Sequence, residues 1–258
     1  MPKKAPVAHH RNDASVRERA YLHIQKKIAS GELKSGTVVS ELSLAKELGS
    51  SRTPIREAVG QLVAEGLLEQ TPNRGAVVVK LGRQDILDLY ELREALECFA
   101  ISKASKQAVR ASDLERLENL IDEVLMLKRE LDENGTKVMS APQACRLISA
   151  DLSFHALLMR LAANGRILDL VNEARLLIRI FAMRHRRPTL TEIDRIYREH
   201  IAILQAVAAQ DGERAVQLLA EHIHTSKRER LEEFDHRERE ASLRDSVPSF
   251  LNELVPTE

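Results

Sequence analysis

Four residues in the second half of the chain have the types and spacing of a metal site: Asp151, His155, His200 and His222. Asp151 and His155 stand four apart, which on a helix puts them one turn apart on the same face. Their other inward neighbours are Leu147, Ile148, Leu152, Leu158 and Leu161. His200 keeps company with Ile196, Ile203, Leu204 and Val207, and His222 with Val216, Leu219 and Ile223. Two imidazoles from adjacent antiparallel helices can meet an Asp/His pair to offer nitrogen and carboxylate donors together. That mixture suits Zn, Ni, Mn or Fe more than Ca or Mg. Taken singly, each histidine has an ordinary reading as a core or surface residue, and the Asp/His spacing alone is weak; only the set points to an ion. His185, His224 and His236 have Arg or Lys company and poor phase, which places them on solvated faces.

A second chemistry sits near the other end. Leu42, Leu44, Ala45 and Leu48 make the apolar stripe of a short helix that Gly49 stops. Another helix starts at once, with Ser51 or Thr53 as its cap, Pro54 in its first turn, and Ile55, Ala58, Val59, Leu62 and Val63 inward until Gly66. Arg52 and Arg56 then share one side of its N-terminal end. In helix-turn-helix proteins that end meets base edges, and a bidentate Arg to guanine is the commonest specific contact. A surface helix with two solvated arginines is the plain alternative.

These residues need elements to hold them. Upstream, Ser15-Val-Arg-Glu18 has capping-box spacing and Ala20, Ile24, Ile28 and Ala29 keep helical period to Gly31, giving a first helix able to pack on the other two. Downstream, 67–70 and 76–79 are two strand-like runs around Thr71-Pro-Asn-Arg-Gly75, a hairpin wing. Arg74 at its tip can reach a minor groove or phosphate, and Gly75 lets backbone come close; a plain turn with an exposed Arg is the other reading. From Gln84 to His236 the pattern is helical, with breakers at Ser112, Gly135, Pro142, Gly165, Pro188 and Gly212 that predict six long helices and a short extra one near 136–142. Ile86, Leu89, Leu92, Leu96, Phe99 and Ala100 mark one buried face; Leu114, Leu117, Leu120, Ile121, Val124 and Leu127 mark the next. Arg175 and Arg179 share a face and can help bind a ligand.

The fold class is thus mainly α: a winged helix-turn-helix with a small hairpin, then an antiparallel all-α bundle. The domains divide as a mobile arm (1–14), a DNA-binding head (15–80), a helical domain (81–236), effector and dimerisation unit by the resemblance given below, and a tail (237–258). Residues 1–80 hold 13 Lys and Arg against 8 Asp and Glu, and the remainder 26 against 31, a modestly basic head on an acidic body. No run of about 18 apolar residues and no basic-plus-apolar leader occurs, so neither membrane insertion nor secretion is indicated and the expectation is cytoplasmic. Cys98 and Cys145 lack a CxxC partner and are read as reduced, packed thiols. Val247-Pro-Ser-Phe-Leu251 and Leu254-Val255 could dock the tail on the body or a partner subunit.

Gly31-x-Leu33-x-x-Gly36, Glu41-x-x-Leu44-Ala45-x-x-Leu48-Gly49, Ser51-Arg-Thr-Pro-x-Arg56-Glu57-Ala58, Leu62, Glu65-Gly-Leu67 and Arg74-Gly75 resemble the winged-helix domain of GntR-family transcriptional regulators over about residues 16–80. The resemblance implies operator contacts from Arg52 and Arg56, with Thr53, Arg74 and Gly75 in supporting roles, on an inverted repeat bound by a homodimer. Leu42 departs from members that carry a further arginine there. Arg93-x-x-Leu96-Glu97, Asp151-x-x-Phe154-His155, Ala163-Asn164-Gly-Arg, His200 with Ile203-x-x-Ala206-Val207, and Ala215 seven before His222 resemble the FCD effector domain of the FadR subfamily over about 84–236. That likeness implies that Asp151, His155, His200 and His222 ligate Zn or another divalent ion, beside which a small carboxylate effector docks. Arg93 would pair with that carboxylate or, equally, form a salt bridge to Glu97. The implied function is a ligand-responsive dimeric repressor whose linker near Val79 to Arg83 passes the signal to the heads. The rivals are a metal-responsive regulator and a metal-dependent hydrolase or lyase fused to a DNA-binding head; for the latter no carboxylate has an obvious general-base placement, Glu173 and Glu199 being in the vicinity by sequence only.

Overall fold

The structure, a computed structural model, describes residues 9–30, 32–72, 74–182 and 187–246, with side chains at 16–28, 32–72, 74–178 and 187–243. The chain divides into two compact units, Met1–Leu81 and Gly82–Glu258, and among the described residues it is mainly α.

The first unit holds α1 (His9–Ser30), α2 (Glu41–Glu47), α3 (Arg52–Ala64), β1 (Leu68–Thr71) and β2 (Gly75–Val78). α1 packs on α3, burying Ala20, Ile24 and Ile28 against a core that includes Ile55, Ala58, Val59 and Leu62. α1 starts earlier than the capping-box spacing predicts: Ser15 is inside the helix, and 9–14, expected in a mobile arm, are helical. Those six residues contain neither Pro nor Gly, so nothing stops the hydrogen-bond ladder from running upstream. Residues 1–8 of that arm, Gly31 and the side chain of Ala29 lie outside the described residues. α2 buries Leu44 and Ala45, whereas Leu42, expected inward, is exposed. Gly49 and Gly66 take φ of +59° and +72° just beyond α2 and α3, the left-handed conformation that costs glycine no Cβ clash. Ser51 is the N-cap of α3 by backbone position but makes no side-chain cap bond.

The hairpin pairs antiparallel, Leu68 with Val78 through Thr71 with Gly75, one residue later in β1 and one earlier in β2 than expected. A segment ahead of α2 extends it: Val38 bridges Val77, and Val39 donates to the Ala76 carbonyl at 2.8 Å. The wing is thereby tied to the helices.

Among its described residues the second unit has six helices: α4 (Arg83–Ala104), α5 (Ala111–Glu133), α6 (Ala141–Leu161), α7 (Gly165–Ala182), α8 (Leu190–Ala208) and α9 (Gly212–Ser246). Their ends follow local chemistry. Ser140 with Gln143, and Thr189 with Glu192, form capping boxes at α6 and α8. Residues 136–139 do not form the extra helix: Val138 makes an isolated antiparallel bridge to Thr189, and Met139 donates to the Pro188 carbonyl at 3.1 Å. α4 packs on α6, α7 and α9, while α5 packs on α6 and α8. α9 continues ten residues beyond the expected start of the tail, to Ser246; the apolar tail segments lie outside the described residues.

The buried face of α4 differs from the expected one. Leu92 is 39% exposed and Phe99 60%, and the helix buries Ile86, Tyr90, Arg93, Glu97, Ala100, Ile101 and Ala104. Two charged residues hold the sector that the leucines were expected to fill, which is possible only because each meets charged partners inside the bundle. Cys98 is half-buried and Cys145 exposed, so the reading of two packed thiols fails for Cys145.

Candidate metal centre and nucleic-acid interface

Asp151 and His155 project from α6, His200 from α8 and His222 from α9, and one donor atom of each lies within 4.8 Å of all the others. All four are buried. Tetrahedral bonds of about 2.0–2.2 Å to a first-row ion put donor pairs about 3.3–3.6 Å apart, so the cluster closes on such an ion with movements of about an ångström across its widest pair. His200 Nε2 stands 3.6 Å and His155 Nε2 4.0 Å from Asp151 Oδ1. Both Nε2 atoms are buried without a hydrogen-bond partner, an arrangement that costs roughly 1–3 kcal/mol per polar group unless something else satisfies it. A divalent cation is the group that three imidazoles and a carboxylate fit.

Two of the imidazoles, His155 and His200, are held neutral. Burial pushes the His155 pKa down to about 3, with Arg175 adding to the fall and Glu97 opposing it. Burial, then the neighbouring His222 and His155, lowers His200 well below its ordinary value. Neutral rings are the ligating form. Each ring is oriented by a different neighbour. His155 Nδ1 donates to Glu97 Oε2 at 2.8 Å, His222 Nδ1 donates to Glu199 Oε2 at 2.7 Å, and the His200 ring stacks on Phe154 at 4.1 Å between centroids.

Beside the cluster lies a cavity of about 60 Å³ whose lining includes Arg93, Asp151, Arg175, Arg195, His222 and Arg230. Arg93 satisfies both of its expected descriptions: it lines the cavity, and its Nε donates to Glu97 Oε1 at 2.8 Å. Arg175 donates to Glu97 Oε1 at 3.0 Å and to Asp151 Oδ2 at 2.9 Å. Burial raises the Glu97 carboxyl, but Arg175, Arg93 and His155 together outweigh it and hold the pKa well below the usual carboxylate range. The side chain of Arg179 and all of His185 lie outside the described residues. His224 and His236 are solvated, paired to Glu94 and Glu240. Glu173 is not among the cavity-lining residues, and Glu199 is taken up by His222 and by Arg195 at 2.6 Å, which leaves it badly placed as a general base.

Sequence reasoning missed Arg195 and Arg230 as cavity walls and Glu97 and Glu199 as imidazole partners. Glu97 follows Arg93 by one turn and Glu199 precedes His200, but neither signal says which imidazole each carboxylate meets.

In the first unit, Arg52 and Arg56 project from the start of α3 with side chains 57% and 69% exposed. Both reach Glu41 Oε2 at the start of α2, at 3.3 and 3.4 Å. Thr53 is exposed beside them. Arg74 and Gly75 are exposed at the hairpin, where Gly75 takes φ +85° and the Arg74 amide donates to the Thr71 carbonyl at 3.2 Å.

This pairing of a winged helix-turn-helix with an all-α bundle defines a class, the bacterial transcriptional regulators. The model of the gntR family of bacterial regulatory proteins matches residues 16–78, and that of the FCD domain residues 88–225. The chain belongs to the GntR family, in its FCD-containing branch, and is a transcriptional regulator rather than an enzyme. It is 27% identical over 209 residues, 79% of this chain and 86% of that protein, to the uncharacterised HTH-type transcriptional regulator YdhC of Bacillus subtilis. It is 28% identical over 211 residues, 80% of this chain and 81% of the other, to the gluconate operon transcriptional repressor of the same organism. Among solved structures, E. coli McbR/YncC shares the fold with a TM-score of 0.68 at 18% identity, covering 85% of this chain and 98% of that one.

Proposed function

We propose that this regulator is a homodimeric repressor that reads an inverted-repeat operator with Arg52 and Arg56 and is released by a small carboxylate bound beside a divalent transition metal, Zn in the first instance. The observation that carries the reading is the buried cluster of Asp151, His155, His200 and His222, with donor atoms mutually within 4.8 Å, next to a cavity walled by arginines. The metal supplies a Lewis-acid anchor for an anion when bound. The chain's own part is to hold the His155 and His200 imidazoles neutral, to exclude bulk water by burial, and to offer guanidinium donors to a carboxylate. Thr53, Arg74 and Gly75 assist on DNA, and Arg175 and Arg179 join Arg93 on the effector. Release requires that the acid bind the DNA-incompetent arrangement more tightly than the competent one, with the chain from Val79 to Arg83 carrying the change. The domain assignment is a DNA-binding head over 15–80 and an effector and dimerisation domain over 81–236.

Gel-shift titration on DNA flanking the gene tests this, in zinc and in chelator, with and without candidate acids. The gluconate operon regulated by one relative puts gluconate among the acids to try. Release of DNA by an acid only when zinc is present supports the reading. Release by zinc alone would make the metal itself the signal, and DNA binding indifferent to both would refute the switch.

A further inference from the structure

His155 and His200 turn Nε2 toward Asp151 Oδ1, and nothing in the donor set itself fixes which ring nitrogen each imidazole turns inward. A neutral imidazole has two tautomers, and only the nitrogen without hydrogen can take a metal. Two carboxylates outside the donor set touch the opposite nitrogens: Glu97 Oε2 lies 2.8 Å from His155 Nδ1, and Glu199 Oε2 lies 2.7 Å from His222 Nδ1. A carboxylate accepts and does not donate, so each contact places the hydrogen on Nδ1 and the lone pair on Nε2.

From this geometry we propose that Glu97 and Glu199 are positioning residues of the metal centre, fixing the tautomer and ring orientation of His155 and His222. The proposal rests on the reading of Asp151, His155, His200 and His222 as metal ligands.

The carboxylates are themselves fixed. Glu97 is fully buried and is gripped by Arg93 Nε at 2.8 Å and Arg175 Nη1 at 3.0 Å. Glu199 accepts from Arg195 Nη1 at 2.6 Å, and Arg195 Nη2 reaches on to Glu229 of α9 at 2.7 Å. Each imidazole therefore ends a chain of arginine, carboxylate and ring, and the arginines line the cavity. The third ring, His200, is held instead by its stack on Phe154, 11° from parallel. Carboxylates behind metal-bound histidines orient the ring and raise its basicity, and their loss weakens metal binding about 10–100-fold.

The test is zinc titration of the full chain, stripped of metal, against a chromophoric chelator. Glu199→Ala and Glu97→Leu should each weaken zinc binding about 10–100-fold. Glu199→Gln should lose less, because its amide oxygen still accepts from Nδ1–H. Glu94→Gln, whose partner is the exposed His224, should match the parent. Glu199 is 26% exposed and Arg195 keeps Glu229, so Glu199→Ala should fold with its metal-free melting temperature lowered by only a few degrees, and decides the question if Glu97→Leu folds poorly. The visible absorption of the cobalt-loaded protein should also change in Glu199→Ala, a signature that loss of packing alone does not produce. Parental zinc affinity and cobalt spectrum in Glu199→Ala, with His222→Ala impaired, would overturn the positioning role and leave the metal site standing. A parent that binds no zinc would overturn both.

Discussion

The Glu97→Leu substitution isolates the energetics of the buried charge network. Glu97 is fully buried and accepts from Arg93, Arg175 and His155 at 2.8 to 3.0 Å. Charge-assisted hydrogen bonds contribute roughly 1.5–3 kcal/mol each but do not add when they share an acceptor. Removing one partner of a buried ion pair costs about 3–5 kcal/mol, mostly because the other charge stays behind. Here the two guanidiniums fare differently. Arg175 keeps Asp151 at 2.9 Å, whereas among the described residues Arg93 pairs with the Glu97 carboxylate and lies 4.8 Å over the Tyr90 ring. Cation–π contact recovers about 0.5–2 kcal/mol. The expected loss is therefore near the lower end, about 3 kcal/mol, or roughly 6–12 °C in the melting temperature of a domain of this size. Thermal unfolding of the metal-free full chain, followed by circular dichroism in the transition that carries most helical signal, measures it. Arg93→Met in the Glu97→Leu background should restore part of the loss, because it removes the stranded charge. A loss under about 1 kcal/mol, or a double variant no better than the single, would refute the claim that Glu97 neutralises buried arginines.

Other consequences are as direct. Arg52→Ala should weaken specific operator binding about 10–100-fold, the worth of one bidentate base contact, while zinc affinity stays unchanged; gel shift and chelator competition read the two separately. Zinc at about 100 times its Kd should stabilise the metal-stripped protein by about 2.7 kcal/mol, a shift that His155→Ala should abolish in differential scanning fluorimetry. Phe154→Ala should cost about 3–5 kcal/mol by cavity formation and also weaken zinc binding, since Phe154 is buried and stacked on His200. The metal-free protein should lose stability as pH falls below about 6.5. Between that value and about 3 the unfolded chain takes up a proton that His155 in the native state refuses, so each such imidazole removes about 1.4 kcal/mol per pH unit. A melting temperature flat from pH 7 to pH 5 would contradict a neutral buried His155.

Much of the fold is legible in the residues because it is set locally. Gly135, Pro142, Gly165, Pro188 and Gly212 all fall at the ends of bundle helices, where the chain's own stereochemistry stops a helix whatever surrounds it. The start of α1 was misread because a capping pattern inside a helix-compatible run need not interrupt it. The face of α4 was misread for a deeper reason. Apolar periodicity assumes that charge faces water, and Arg93 and Glu97 are buried while Phe99 is exposed.

By itself the sequence determined most of the breaks between bundle helices, the arginines of α3, and the four residues whose donors could suit a metal, because periodicity, caps and donor chemistry are properties of short stretches of chain. Only the tertiary structure decided that α6, α8 and α9 bring those donors within 4.8 Å. It also decided that Glu97 and Glu199 stand behind two of the imidazoles, and that Arg93, Arg175 and Arg195 line the adjoining cavity. Those are pairings between residues 23 to 78 positions apart, fixed by how helices cross, and no local pattern carries that information.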